Sequence, residues 1–149
     1  MIEILGPDAV LQLDVWDAPP PECPAVGCAL DHGGRRLLWS GPGVWWIRTT
    51  PEDRAAALAS WRGAVGEGGV VSDLSGGFTR VRISGPRWRE TLMIEGVFDA
   101  ESPDFAPGCA AGTVIDHVPV RLDVVAADAV DVYAPRSLAP HLLALWASA

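Results

Sequence analysis

Lysine is absent from this 149-residue chain. All 11 basic residues are arginine, set against 19 acidic ones, for a formal net charge of -8 and a pI near 4.7. Without lysine there is no phosphate-binding loop of the Gly-Lys-Ser/Thr kind, and neither GPG (41–43) nor GEGG (66–69) is followed by such a pair. No G-x-G-x-x-G follows a strand and opens a helix, which argues against a dinucleotide site. The acidic balance argues against general nucleic-acid binding, which needs a basic face to neutralise phosphates. All-arginine usage reads first as a matter of base composition, and second as a preference for forked guanidinium contacts.

Cysteine is scarce: Cys23, Cys28 and Cys109 do not make a disulfide framework. Cys23, Cys28 and His32 form C-x4-C-x3-H, but zinc motifs pair their ligands more tightly, and Cys109, His117 and His141 are far along the chain. Ordinary core or loop cysteines are the expectation, with no metal. Long apolar runs are missing too. No stretch approaches the ~20 residues of a membrane span, and MIEILGPDAV lacks the charged and apolar regions of a signal peptide. The expected location is the cytoplasm.

What is present is a globular composition, 49% hydrophobic and 20% charged, long enough for a core without staples. The expectation is one domain over 1–149, with an internal half boundary at 66–69. Seven tryptophans are many for this length, and any left exposed would suggest a contact surface.

VLQLDVW alternates like a half-buried strand. The prolines of DAPPPECP stop it, and RLLWS, GPG and VWWIRT read as a hairpin. Residues 50–65 give the clearest helix, with Thr50 as cap, Pro51 in its first turn and Leu58, Trp61 and Val65 on one face. VVSDL and FTRVRIS are two short strands around Gly76-Gly77. Pro86 opens a helix to about Glu95, AGTVIDHVPVRLDVVA is a hairpin turning near His117, and AVDVYAP is another strand. A last helix runs from about Ser137, with Leu138, Leu142 and Leu145 on one face and Trp146 beside them. Hairpins dominate over crossovers, so the predicted class is α+β: mostly antiparallel sheets with about three helices.

No catalytic constellation emerges. Ser75 in DLSGG lacks the first glycine of a nucleophile elbow, since Asp73 stands there, and a turn role suits it better. His32, His117 and His141 are scattered. The remaining signal is an arginine cluster. Arg80 and Arg82 alternate with Val81 and Ile83, which puts them opposite the core, and Arg87 and Arg89 follow in the next helix start. One reading is a solvated sheet face; the other is a patch that meets an anionic cofactor or an acidic partner surface.

The stretches VVSDLSGGFTRVRISGPRWRETL, GTVIDHVPVRLDVV and VYAPRSLAPHLLALW resemble the gamma subunit of heterotetrameric sarcosine oxidase. The shared features are Asp73 and Ser75 in a D-x-S turn, Ser84-Gly85-Pro86 before a helix, and Tyr133-Ala134-Pro135-Arg136-Ser137 leading into the last helix. Leu38, Trp39, Gly41, Pro42 and Trp45 match an L-W-x-G-P-x-x-W segment. The resemblance covers about 36–149 and implies the folate-binding fold of the glycine-cleavage aminomethyltransferase, in two ferredoxin-like halves. It also implies a non-catalytic accessory subunit of a complex that demethylates sarcosine to glycine. FAD, FMN, NAD and tetrahydrofolate would then sit on larger alpha- and beta-like partner chains, and none on this one. Arg80, Arg82, Arg87, Arg89 and Arg136 are its candidate interface residues. Two alternatives stay open: a free-standing folate-binding or one-carbon protein, and an orphan interaction domain of the same fold.

Overall fold

A computed structural model of the chain describes residues 1–148. In chain order it forms β1 (Ile2–Leu5), β2 (Ala9–Val15), β3 (Ala29–His32), β4 (Arg35–Gly41), β5 (Val44–Thr49), α1 (Arg54–Val65), β6 (Gly69–Asp73) and β7 (Phe78–Ser84). Then follow α2 (Trp88–Leu92), β8 (Ala110–Ile115), β9 (Val118–Ala126), β10 (Ala129–Pro135) and α3 (Ala139–Ala147). The strands build two five-stranded sheets with antiparallel pairing throughout. With three helices this is the α+β class expected from the sequence. No helix among the described residues is long and apolar enough to cross a membrane.

The chain divides into two compact units: Gly6–Gly76, and Met1–Leu5 together with everything from Gly77 onward. The glycine run at 66–69, marked in the sequence as a half boundary, lies inside the first of these. The chain passes from one unit to the other at Gly76–Gly77 instead. Glycine runs in sequence signal a turn, and this turn only returns α1 to its own sheet.

In the Gly6–Gly76 unit the sheet order is β3-β4-β5-β2-β6. Alternation along the strands turns Leu11, Leu13, Leu37, Ile47 and Val71 to one face, where Ala57 and Trp61 of α1 cover them. Leu58 and Val65 pack at the margin, so the predicted helical face is the buried one. Thr50 caps as expected: its hydroxyl accepts from the Asp53 N–H at 3.3 Å, and Pro51–Asp53 form a 3-10 turn before the α-helix proper. At the far end, Gly69 passes so close to the Asp14 carbonyl and the Val65 side chain that a Cβ there would collide with both. That close approach is what lets β6 lie against β2.

In the other unit the order is β1-β7-β10-β9-β8. Val81, Ile83, Leu122, Val124, Val130 and Val132 face a core completed by Trp88 and Leu92 of α2, Phe105, and Ala139, Leu142 and Trp146 of α3. The hairpin of β8 and β9 turns through Asp116 and His117, both at positive φ (44° and 66°), as a two-residue turn matching the strand twist requires. Two local readings change. The helix opened by Pro86 is only five residues, ending at Leu92 rather than near Glu95. Leu138 precedes α3 and is exposed, and the buried stripe is Ala139, Leu142 and Trp146. β1 and β3 had no distinct signal in the sequence, being four residues each. β1 forms only by pairing with β7, Ile2 opposite Ile83.

Candidate interaction surface

The arginines singled out in the sequence divide into two groups. On β7, Val81 and Ile83 enter the core and Arg80 and Arg82 take the opposite face, as the alternation predicts. Both guanidinium groups then turn onto Asp131 of β10. Arg82 reaches it through Nε (2.6 Å) and Nη2 (3.0 Å), and Arg80 through Nη1 (3.0 Å). The register explains the triad: Asp131 stands directly opposite Arg82 in the antiparallel ladder, two residues from Arg80. Asp131 is fully buried and the Arg80 side chain is only 12% exposed. Hydrogen bonding to Asp131 is the main cause that holds the Arg82 guanidinium above its ordinary pKa. These two arginines neutralise a buried carboxylate within the sheet.

Arg89 is likewise engaged. Its guanidinium lies over the Trp88 ring, 4.3 Å from the centroid, and donates to the Ala100 carbonyl, tying α2 to the loop that follows. Arg87 and Arg136 remain outward. The Arg87 side chain is 81% exposed and pairs with Glu90 on the same turn, while Arg136 is exposed just after β10. Arg87, Glu90 and Thr91 rim an open groove of about 540 Å³ whose apolar lining includes Ile2, Ile83, Ile94 and Trp146.

Ser75 has a structural job. Its hydroxyl accepts from the Val10 N–H (3.1 Å), and its own N–H donates to Asp73 Oδ1 (2.9 Å). Hydrogen bonding to Asp73 from Ser75, by its hydroxyl first and then its backbone N–H, lowers the Asp73 pKa, with the Arg54 charge at 3.3 Å contributing. The Asx-type turn closes β6 against the start of β2. His141 Nε2 lies 2.7 Å from Asp116 Oδ2, tying α3 to the β8–β9 turn. His32 and His117 are exposed in their strand end and turn. Burial, and then the Glu22 charge, push the Cys23 thiol up to about 11, which keeps it protonated and unreactive at neutral pH. Among the described residues no group of three or more His, Cys, Asp or Glu is placed to hold a metal ion.

Two features escaped the sequence reading. Asp131 was readable in principle: a lone acid inside the apolar strand AVDVYAP must find a cation. The other is the fate of the tryptophans. Trp45, Trp46, Trp61, Trp88 and Trp146 are buried, whereas Trp16, just beyond β2, is 70% exposed.

A search of curated proteins finds no match to the chain. Among solved structures, a chain of the heterotetrameric sarcosine oxidase from Corynebacterium sp. U-96, in complex with pyrrole 2-carboxylate, superposes with a TM-score of 0.79 at 22% identity. The overlap covers 97% of this chain and 80% of that one, and at this identity it speaks for the fold. The family model of the sarcosine oxidase gamma subunit matches residues 7–149, well upstream of the segment near residue 36 where the motif resemblance begins. With that match running through both compact units, the chain belongs to the sarcosine oxidase gamma subunit family.

Proposed function

We propose that this chain, acting as one gamma-subunit-like module over 1–149, is a non-catalytic accessory subunit of a sarcosine-oxidase-type complex. The observation that carries the reading is the family match over residues 7–149. It is supported by the way the polar residues are used: Asp131, Asp73, Asp53 and Ser75 are each engaged in holding strands and turns together. FAD, FMN, NAD and tetrahydrofolate belong, on this reading, to larger alpha- and beta-like partner chains, which carry out the oxidative demethylation of sarcosine to glycine in the cytoplasm. Arg87 and Arg136 are the cations free to meet a partner from the candidate set. Arg80, Arg82 and Arg89 serve that surface indirectly, by fixing β7 and α2.

The test is affinity purification of the tagged chain from its native host, with an absorbance spectrum and mass spectrometry of the eluate. Co-elution with two larger chains and flavin absorption is the expected result. A colourless, solitary chain, in cells that express the partners, would overturn it. Titration with reduced folate, followed by tryptophan fluorescence, should leave the isolated chain unchanged.

A further inference from the structure

The exposed indole of Trp16 sits on a prepared platform within the Gly6–Gly76 unit. The Trp16 backbone N–H donates to the Gly68 carbonyl at 3.0 Å, and the Asp17 backbone N–H donates to the same oxygen at 3.2 Å. A Cβ on Gly68 would meet the Asp17 side chain at 2.9 Å, so the glycine is needed for this close approach. The backbone that presents the indole is therefore fixed, although 70% of the residue is open to solvent. Alternation along β2 carries Asp14, and beyond its end Trp16, to the side of the sheet that Val70 faces; Asp14 and Val70 are direct partners. Val70 is itself 49% exposed. It lies on β6, an edge strand with one strand neighbour in its sheet. A shallow groove of about 200 Å³ lined by Arg62, Val65, Val70 and Val71 adjoins that edge.

Charge narrows the occupant. Asp14 stands opposite Val70, Asp17 follows Trp16, and Glu67 precedes the Gly68 whose carbonyl holds the Trp16 backbone; the groove lining adds the cation Arg62. An exposed indole on an acid-rich stretch attracts guanidinium or ammonium groups, by cation–π contact and by charge pairing. A second copy of this chain would bring the same carboxylates to the contact and repel.

We infer that Trp16 and the β6 edge form a docking site for an extended segment of a partner polypeptide in which arginine or lysine alternates with aliphatic residues. Its cations lie over Trp16 and among Asp14, Asp17 and Glu67, its aliphatic side chains meet Val70, and its backbone continues the sheet from β6. The identity of the partner rests on the accessory-subunit reading; the existence of the surface does not.

Two measurements separate these. In the first, wild-type, Trp16→Ala and Asp17→Arg chains, matched for thermal stability, are used to capture the large flavin-bearing chains. Wild-type capture with loss of roughly tenfold or more in both variants supports the site, and equal capture by all three overturns it. If the wild type captures none, the accessory reading fails, and the second measurement decides alone. In that experiment a short capped peptide alternating arginine with valine is titrated into each chain. Saturable binding that weakens roughly tenfold in both variants and falls with added salt supports the site. Binding that is absent or indifferent to both substitutions overturns it. Concentration-dependent dimerisation abolished by Trp16→Ala would also overturn it, by assigning the surface to a second copy.

Discussion

At the scale of single residues, carboxylates hold this protein together. Asp131 is the clearest: a fully buried acid satisfied by two arginines from the neighbouring strand. Removing one partner of such a buried cluster leaves uncompensated charge, so Asp131→Ala should lower unfolding stability by about 3–5 kcal/mol. Urea denaturation will show it as a fall in midpoint at unchanged slope, and a loss below about 1 kcal/mol would mean the arginines find other partners without strain. Asp53 makes a second, more exposed node. It accepts from Arg35 Nε (2.7 Å) and Nη2 (3.1 Å) and from the Thr49 hydroxyl (2.7 Å). The Arg35 hydrogen bond, then that of Thr49, lowers its pKa from 3.8 to about 2. A depressed carboxylate contributes stability that is present above its unfolded pKa and lost as pH falls through the folded value. The stability difference between wild type and Asp53→Asn should therefore hold from neutrality to about pH 4 and shrink toward pH 2. Denaturation midpoints across that range check it, and a constant difference would contradict it.

Among elements, α3 shows how tertiary packing selects from a sequence pattern. Leu138, Leu142 and Leu145 look equivalent by helical spacing, but Pro140 sits in the first turn and the helix begins at Ala139, leaving Leu138 outside it. Leu142 is fully buried and Leu138 is 40% exposed. Leu142→Ala should cost about 2–5 kcal/mol and Leu138→Ala no more than about 0.5 kcal/mol. Similar losses in thermal unfolding would place both in the core. The same reasoning accounts for the short α2. Its five residues are anchored by Trp88 and Leu92 in the core, and Trp88 donates through Nε1 to the Ala127 carbonyl at 3.1 Å.

For the molecule as a whole, the question is which charges face outward to a partner. Charge reversal at Arg80 or Arg82 disrupts a buried triad, so such variants would lose folding and assembly together and say little about docking. Arg87→Glu combined with Arg136→Glu should leave the melting temperature within about 2–4 °C, as surface substitutions do. On the accessory-subunit reading the pair should weaken capture of the large chains and raise its salt sensitivity. Pull-down at two ionic strengths decides the matter: unchanged capture would take both positions out of the interface and leave the Trp16 surface as the proposed contact.

The sequence by itself determined what depends on near neighbours. Alternation marked β2 and β7, the run AVDVYAP read as a further strand, and the Thr50-Pro51 start marked α1. The hairpins announced themselves through GPG and the Asp116-His117 turn, and together these sufficed for the α+β class. The motif from Asp73 to Pro86 and the step at Tyr133-Ala134-Pro135 carried the family. Tertiary structure alone decided what depends on distant pairing. Strands VVSDL and FTRVRIS are separated by a few residues yet join different sheets, and β1 exists only because β7 lies beside it. Four residues have too little pattern of their own, and the ladder bonds that define them come from more than seventy residues away. The arginine cluster followed the same division. Alternation placed Arg80 and Arg82 on the face away from the core, but whether they reach solvent or an acid depends on the register of β10. That register, with Asp131 opposite Arg82, joins Arg80 and Arg82 in an internal ion triad, while Trp16 stays 70% exposed.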